Sequence, residues 1–274
     1  MIVKENTSIF PLNNPTKLRM SSEYWNSKVA VVTGASVGIG AHIAIKLANA
    51  GITVVGLARR SELIENLNKD VLESGAKIHA YHCDFTQEQS IDEAFKWIAE
   101  KFGSISILIC NAGIIKANFV IESSNAEIKE LYDLNVFATT ICLREGLKLM
   151  RTPENHRGHI IVLNSILGHR IPDVAVPLFS VYPATKHAIT GLCQTVRQEI
   201  HFLKLNIKLT SINPGMVDTD FLSVYSHTLD DLPKLNAMDV ANAVMYALET
   251  PNHVQVEDVT LQAMRLHNAG SNHN

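Results

Sequence analysis

Short runs of β-branched and apolar residues alternate with longer helical segments along almost the whole chain, and this alternation constrains the fold more than any other feature. Predicted strands occupy residues 28–32, 53–57, 77–83, 105–110, 159–163 and 207–212, with a weaker one at 258–261. Predicted helices lie between them, at residues 39–50, 61–73, 87–101, 126–150, 182–204 and 238–249. Strands that are apolar throughout are buried on both faces, which requires helices above and below a parallel sheet. The pattern predicts an α/β chain of Rossmann type, a doubly wound, mostly parallel, seven-stranded sheet with helices on both faces.

No linker, repeat or low-complexity tract interrupts this pattern within the 274 residues. We therefore predict a single Rossmann-type domain over residues 25–264, preceded by a flexible arm, residues 1–24, and followed by a polar tail, residues 265–274. Two helix starts fit a capping box, in which a hydroxyl and the side chain three residues later each bind a backbone N–H group. These are Thr86 with Gln89 and Ser124 with Glu127.

Charge and composition exclude several classes of function. The formal net charge is −3, from 24 basic and 27 acidic residues, which argues against a nucleic-acid partner or a polybasic membrane surface. No stretch is apolar for long enough to span a membrane, and the first 20 residues lack the apolar core of a signal peptide. The four cysteines form no CxxC pair, which predicts reduced thiols and a cytoplasmic protein. The 12 histidines include no HExxH motif, so no metal site is expected.

The strongest local signal is a glycine-rich turn between the first predicted strand and the first helix. Glycines there let the chain turn sharply and bring backbone N–H groups close to a pyrophosphate at the positive end of the helix. The alternative is that these glycines serve only a tight turn. The predicted cofactor contacts in the turn are Gly34, Ser36, Val37, Gly38, Ile39 and Gly40.

The end of the second strand predicts which dinucleotide binds. An acidic residue at this position would hold the ribose 2′-OH of NAD, whereas Arg leaves room for a 2′-phosphate. The chain has Ala58 there, followed by Arg59 and Arg60, which favours NADP(H). The alternative is that both arginines are simply solvated at the start of a helix, although the helix dipole disfavours cations there.

Polar residues follow the third and fourth strands, at the edge of the sheet where ligands bind in open α/β folds. Asp84 and Phe85 follow the third strand, and Asn111, Ala112 and Gly113 follow the fourth. We predict that all five contact the cofactor. Either group also fits an ordinary Asx turn.

Ser165 and a Tyr-x-x-x-Lys pair supply the candidate chemistry. Ser165 lies just past the fifth strand, and Tyr182 and Lys186 open a long helix on which a four-residue spacing puts them on one face. Tyr24 and Lys28 have the same spacing, but they precede the first strand, at the wrong end of the sheet.

A set of motifs occurs in the order found in the short-chain dehydrogenase/reductase family, and the chain resembles that family over about residues 25–262. The motifs are TGASVGIG (33–40), NAG (111–113), Asn135, Ser165, YPATK (182–186) and PGMVDT (214–219). Within the family, segments such as GLARR and NSILGHR resemble the branch of dehydrogenase/reductase member 11 and the insect farnesol dehydrogenases.

The resemblance implies an NADP(H)-dependent oxidoreductase acting on a lipophilic alcohol or carbonyl compound, an isoprenoid such as farnesol or farnesal. Tyr182 would be the general acid or base, Lys186 would favour its phenolate and bind ribose hydroxyls, and Ser165 would hydrogen-bond the substrate oxygen. Asn135 would hold a water that links Lys186 to solvent. Asp84 would meet the adenine. Further cofactor contacts would come from Tyr182, Lys186, Pro214, Gly215, Val217 and Thr219.

The segments after Ser165 and after the Pro-Gly turn are rich in apolar residues, which predicts a lipophilic pocket. The candidate substrate contacts are Ser165, Leu167, Phe179, Tyr182, Met216 and Phe221. Ile171, Val176, Leu178, Leu222, Val224 and Tyr225 belong to the same apolar wall. The alternative is that these residues form only a core beneath the loop.

Partner and function alternatives stay open at this point. The resemblance implies a homodimer or homotetramer through helices 126–150 and 182–204, with Phe137, Leu143, Leu192 and Val196 as candidate contacts. A steroid dehydrogenase of the same mechanism is one alternative function. A non-catalytic NADP(H)-binding regulatory protein is another, and only an enzyme explains why the four catalytic candidates occur together.

Overall fold

The computed structural model of the protein describes residues 22–73, 75–152, 157–173, 178–229 and 232–264. Within them lies one parallel sheet of seven strands, as the alternating pattern predicts, and its strand order is β3-β2-β1-β4-β5-β6-β7. The strands are β1 (Val29–Thr33), β2 (Thr53–Ala58), β3 (Ile78–His82), β4 (Ile107–Cys110), β5 (Gly158–Leu163), β6 (Ile207–Pro214) and β7 (Asp258–Leu261). Strands β2 and β3 are added on one side of β1, and β4 to β7 are added on the other, so the strand order reverses between β1 and β4. Open α/β sheets form their ligand crevice at such a point.

Eight α-helices among the described residues cover the sheet. They are α1 (Ser22–Trp25), α2 (Gly38–Asn49), α3 (Ser61–Asn66), α4 (Glu88–Phe102), α5 (Asn125–Tyr132), α6 (Thr139–Met150), α7 (Tyr182–Phe202) and α8 (Ala237–Glu249). Helices α2 and α8 pack against each other on one face, and α4, α6 and α7 cover the other. Strands β1, β4, β5 and β6 are almost entirely buried, since each contributes side chains to both layers.

The segment predicted as one helix over residues 126–150 contains a π-helical stretch. Residues Asp133–Ala138 join α5 to α6 with wider turns, and Asn135 lies inside them. The expectation of an uninterrupted α-helix was therefore wrong here. π-Helical turns are rare and occur often at functional sites.

One of the two predicted capping boxes forms and the other does not. Ser124 and Glu127 bind each other's backbone N–H groups at the start of α5, as expected. The Thr86 hydroxyl instead donates to the Asp84 carboxylate at 2.8 Å, and α4 begins after Gln87 with no side-chain cap. The prediction at Thr86 was wrong because Gln87 is the residue that directly precedes the helix, so Thr86 lies one position too early to cap it.

The described chain starts with α1, whose last residue anchors it to the body of the protein. Trp25 is buried, and its indole donates to the carbonyl oxygen of Leu248 at 3.0 Å. Residues 1–21 of the predicted arm and the predicted tail lie outside the described residues, while residues 22–24 of that arm are helical. None of the described helices combines the length and the apolar composition that a bilayer crossing requires.

Candidate active site

The glycine-rich turn connects β1 to α2 in a conformation that only small residues tolerate. Gly34 and Gly38 have positive φ values of 66° and 59°. A Cβ atom on Gly40 would lie 2.3 Å from the carbonyl oxygen of Gly34, so the helix contacts the turn backbone directly. The three glycines are thus required by the local geometry.

Asn111, at the end of β4, holds this turn in place. Its side-chain amide donates to the carbonyl oxygens of Thr33 and Gly34 at 3.0 and 3.1 Å. In return, the Thr33 hydroxyl accepts the backbone N–H groups of Asn111 and Ala112. The amide of Asn111 is therefore already engaged in positioning the turn, a role that the sequence did not reveal for it or for Thr33.

The start of α2 fits a phosphate group. Val37 precedes the helix in an extended conformation, and no side chain of the described residues caps it. Uncapped N–H groups at the positive end of a helix dipole, beside a turn with no Cβ atoms in the way, are suited to bind an anion. Thr219 lies across the turn, with its Cγ2 3.5 Å from where a Gly38 Cβ would be, which places the PGMVDT segment on the other side of the same crevice.

The ends of β2 and β3 lie side by side, as their pairing requires. Ala58 is buried, and Arg59 and Arg60 are exposed. Although partial burial of Asp84 acts in the opposite direction, hydrogen bonds from Thr86 and the charge of Arg59 hold the pKa of the Asp84 carboxyl below its usual value. Arg59 is therefore close enough to Asp84 for the two charges to attract each other.

The other predicted cofactor contacts lie along the same edge but are not all accessible. The side chain of Phe85 is buried in the core under α4, which leaves little of it accessible to a cofactor. Val217 is also buried, and it pairs with Leu235. Pro214 ends β6, and the N–H of Gly215 is bound by the carbonyl of Leu261.

Ser165, Tyr182 and Lys186 come together where β5 meets the start of α7. Ser165 lies close enough to Tyr182 to act on its pKa as a hydrogen-bonding side chain, and the N–H of Leu167 donates to the Ser165 hydroxyl oxygen at 3.1 Å. The Lys186 ammonium donates to the carbonyl oxygen of Leu163 at 3.0 Å and lies 5.6 Å from the centre of the Tyr182 ring. One donor and one cation thus flank a phenol, as proton transfer requires.

Burial dominates the ionisation of the pair. It raises the pKa of Tyr182 above its usual value of 10.0, and the hydrogen bond with Ser165 opposes this shift only in part. Burial also lowers the pKa of Lys186 to about 8. Desolvation thus disfavours the charged form of each residue. In the structure, Tyr182 is therefore a proton donor at neutral pH.

Asn135 is buried in the π-helical stretch and connects two parts of the site. Its side-chain oxygen accepts the N–H of Ile114 at 2.8 Å, and its amide donates to the Ile114 carbonyl and to the Thr185 hydroxyl. Thr185 in turn donates to the carbonyl of Tyr182. The Asn135 side chain thus ties the loop after β4 to the helix that carries Tyr182, and neither Ile114 nor Thr185 was among the predicted site residues.

A second network, also not predicted, fastens the Ser165 turn to α7. The Asn164 amide donates to the Thr190 hydroxyl at 2.9 Å, and that hydroxyl donates to the carbonyl of Gly168 at 2.8 Å. A Cβ atom on Gly168 would lie 2.7 Å from the carbonyl oxygen of Lys186. These contacts fix the distance between Ser165 and the catalytic helix.

An apolar cluster covers the site. Tyr182, Leu167, Ile115, Leu131 and Tyr225 form its buried part. Ile114, Ala117, Ile166, Leu178, Phe179, Val181 and Leu222 pack around them. The ring of Phe221 meets that of Tyr182 edge-on, with centroids 6.1 Å apart. Both predicted apolar segments therefore contribute to this cluster, although Ile171 and Val224 are exposed and Val176 lies outside the described residues.

The second Tyr-Lys pair lies away from all of this. Tyr24 packs edge-on against Trp25, with the Arg157 guanidinium 4.9 Å from its ring centre. Tyr24 therefore lies at the end of the sheet opposite the catalytic candidates, as expected.

Comparisons with known proteins agree with this geometry. Residues 28–230 match the family model described as short chain dehydrogenase. The chain is 41% identical over 244 residues to a farnesol dehydrogenase of Aedes aegypti, covering 87% of this chain and 96% of that protein. It is 37% identical over 250 residues to dehydrogenase/reductase SDR family member 11 of Bos taurus, covering 88% and 97% of the two chains.

Among solved structures, the chain is similar to an alcohol dehydrogenase from the archaeon Thermococcus sibiricus complexed with 5-hydroxy-NADP. The TM-score is 0.77 at 28% sequence identity, and the match covers 89% of this chain and 100% of that one. The fold is thus similar to that of a structure solved in complex with 5-hydroxy-NADP.

Proposed function

Because the chain belongs to the short-chain dehydrogenase/reductase family, we propose that it is an NADP(H)-dependent enzyme that interconverts a lipophilic alcohol and its carbonyl compound. The observation that carries the proposal is the convergence of Ser165, Tyr182 and Lys186 beside a glycine turn that fits a phosphate. A bound nicotinamide supplies or accepts the hydride. A protein that only binds the cofactor has no need of these three residues together.

Tyr182 and Ser165 act on the substrate oxygen in this proposal. In the reductive direction the Tyr182 hydroxyl donates its proton to the carbonyl oxygen, and Ser165 donates a second hydrogen bond to the same atom. The N–H of Leu167 already occupies one lone pair of the Ser165 oxygen, which leaves the Ser165 proton free to point towards Tyr182 and the substrate. The two donors stabilise negative charge as it develops on the oxygen.

Lys186 and Asn135 assist Tyr182 in this proposal. The Lys186 ammonium has three protons and donates one to Leu163, so two remain for ribose hydroxyls or water. Because burial lowers the pKa of Lys186 to about 8, it gains or loses a proton within the working range of an enzyme. Asn135 holds its turn of the helix in place, and a water that links Lys186 to solvent would bind there.

The preference for NADP(H) rests on Ala58 and Arg59. Ala58 offers no carboxylate to a ribose 2′-OH, and the exposed Arg59 can make paired hydrogen bonds to a 2′-phosphate. Asp84 attracts the same guanidinium, which reduces the expected preference. Arg59→Ala should weaken NADPH binding about ten- to a hundredfold and leave NADH binding nearly unchanged. Arg151→Ala, an exposed arginine on another part of the surface, is the control, and equal weakening of both cofactors by Arg59→Ala would contradict this step.

The apolar cluster over Tyr182 favours a lipophilic substrate, an isoprenoid such as farnesol or farnesal. The Aedes aegypti relative carries the name farnesol dehydrogenase, which supports the same class. A steroid alcohol or ketone is the alternative substrate of the same chemistry.

A substrate screen combined with one substitution tests the proposal. Purified protein is assayed with NADPH or NADP⁺ against farnesal and farnesol, 3- and 17-ketosteroids and their alcohols, and polar sugars. Tyr182→Phe should lower kcat by a hundredfold or more while NADPH binding persists. Tyr24→Phe is the matched control. Turnover above about a tenth of wild type in Tyr182→Phe, or a preference for sugars, would refute the proposed mechanism or substrate class.

We also propose a homodimer or homotetramer through α6 and α7. The outer face of α7 carries small residues at helical spacing, Ala184, Ala188 and Gly191, and nothing lies within 4 Å of a Cβ on Gly191. Of the four contacts named from the sequence, Phe137 is 53% exposed, whereas Leu143 and Val196 are buried within the monomer and are not available.

The four cysteines are all buried free thiols, which supports a cytoplasmic protein.

A further inference from the structure

Tyr225 carries a hydroxyl group that the fold does not use. The residue lies in the 3-10 helical segment Asp220–Leu229 and is 6% exposed. Its hydroxyl is shielded from solvent and has no hydrogen-bond partner in the described part of the chain. A buried polar group without a partner costs about 1–3 kcal/mol, and Phe would fill the same space without that cost. The hydroxyl therefore calls for a partner that the described residues do not provide.

The position of Tyr225 indicates where that partner would be. It belongs to the apolar cluster over the site, together with Tyr182, Leu167 and Ile115, and to neither of the two cores that flank the sheet. Tyr225 also raises the pKa of Tyr182, so the two phenol groups are close enough to interact electrostatically. Burial does not separate Tyr225 from the substrate, because Tyr182 and Ser165 are themselves only 5% and 8% exposed. Any substrate that reaches Tyr182 has to displace the side chains of this cluster.

The reacting oxygen of the substrate does not need Tyr225. A carbonyl oxygen has two lone pairs, and in the proposed function Ser165 and Tyr182 occupy both. Ser165 accepts the N–H of Leu167, and its one proton goes to the reacting oxygen. The Tyr225 hydroxyl is thus the one donor of the cluster left for another atom of the substrate.

We propose that Tyr225 is a specificity-determining residue that hydrogen-bonds a second oxygen, so that the preferred substrates are lipophilic carbonyl compounds or alcohols with an additional hydroxyl, keto or ether oxygen. This inference rests on the proposed function and narrows its substrate class. A site that offers a buried hydroxyl discriminates against an analogue lacking the matching group, because that hydroxyl then stays unpaired in the complex.

Matched substrate pairs test this inference. Initial rates with NADPH are measured for farnesal and its terminally hydroxylated derivative, and for 2-decanone and its derivatives with a hydroxyl at carbon 5, 7 or 9. In wild type, the best hydroxylated compound of a pair should have about a fivefold higher kcat/KM than its parent, since one hydrogen bond contributes on the order of 1 kcal/mol. Tyr225→Phe should abolish this advantage, mainly through KM, and should leave kcat/KM of the parent compounds within about threefold of wild type.

Control measurements separate a substrate contact from a structural role. Tyr246→Phe removes the hydroxyl of a tyrosine that is 57% exposed on α8, and it should change neither member of a pair. Tyr225→Phe should melt at or above the wild-type temperature, because it removes an unpaired buried donor. A lower melting temperature, equal losses on both members of a pair, or no wild-type advantage for any hydroxylated compound would overturn the inference while leaving the proposed function intact. If wild type reduces no member of either pair but Tyr182→Phe abolishes activity on ketosteroids, the isoprenoid substrate falls, and this inference falls with it unless a 3-ketosteroid with a 17-hydroxyl has a higher kcat/KM than its counterpart without that hydroxyl. If wild type turns over no compound at all, the proposed function itself is wrong, and the inference with it.

Discussion

Gly40→Ala is the substitution whose effect follows most directly from the geometry of the glycine turn. The new Cβ would lie 2.3 Å from the carbonyl oxygen of Gly34 and 2.6 Å from the amide nitrogen of Asn111. Real Cβ atoms do not approach so closely, so α2 has to move away from the turn by about 1 Å or the turn has to yield. The turn cannot yield easily, because Asn111 ties it to β4 through Thr33 and Gly34.

The expected cost is the sum of opposing contributions. Overpacking against backbone costs about 1–3 kcal/mol, and loss of the Asn111–Gly34 hydrogen bond adds about 1 kcal/mol. Replacing Gly by Ala inside a helix returns up to about 1 kcal/mol. We expect Gly40→Ala to lower the free energy of unfolding by about 1–3 kcal/mol and to weaken NADPH binding at least tenfold, because the first N–H groups of α2 move with the helix.

Urea unfolding and calorimetric titration with NADPH measure the two effects. Gly191→Ala is the matched control, since it also lies within a helix but its Cβ would contact nothing within 4 Å. That variant should be as stable as wild type or more stable by up to about 1 kcal/mol. If Gly40→Ala matched wild type in both stability and NADPH affinity, the close contact between α2 and the turn would not be the constraint described above.

Three further predictions concern stability and assembly. Burial, Lys208 and Arg157 hold the pKa of His159 well below 6.5, and its Nδ1 has no hydrogen-bond partner in the described part of the chain. The unfolded chain therefore binds a proton at His159 first, and the free energy of unfolding should fall as pH drops below about 6.5, by up to about 1.4 kcal/mol per pH unit. Urea unfolding between pH 7 and pH 5 should show this slope in wild type and in His201→Gln, an exposed control, but a smaller slope in His159→Gln, and parallel slopes would contradict it. Gly191→Arg should shift the protein to monomer in analytical ultracentrifugation without lowering its melting temperature, whereas an unchanged assembly would exclude the outer face of α7. Ser124→Ala removes the capping box of α5 and should cost about 1 kcal/mol in urea unfolding, an effect absent if the cap contributes nothing.

The sequence predicted the parts of the site that depend on local pattern. The turn at residues 33–40 is read from glycine spacing between a strand and a helix, and the Tyr182–Lys186 pair from four-residue spacing. The chain order of the strands, with their β-branched composition, was sufficient for the sheet. Each of these signals lies within a few residues of chain.

Contacts between distant segments could not be predicted in the same way. The bond of Asn164 to Thr190 joins residues 26 positions apart, and that of Asn135 to Ile114 joins residues 21 apart. Polar residues of these types are common, and no local pattern indicates which distant partner they meet. Thr86 illustrates the related difficulty that a helix boundary is hard to place to within one residue, since α4 begins after Gln87 and leaves Thr86 outside the cap.

The π-helical stretch Asp133–Ala138 allows one continuous helical segment to pack into two different hydrophobic clusters. Leu131, before the stretch, packs into the apolar cluster over Tyr182, while Ile141 and Leu143, after it, pack into the core beneath α4 and α7. Each residue of an α-helix rotates the next by about 100°, so the wider turn resets the angular phase of everything that follows. A one-residue deletion between 133 and 138 would therefore leave the composition of both halves intact and still point one of them at the wrong neighbour. In this part of the chain, spacing is under tighter constraint than side-chain identity.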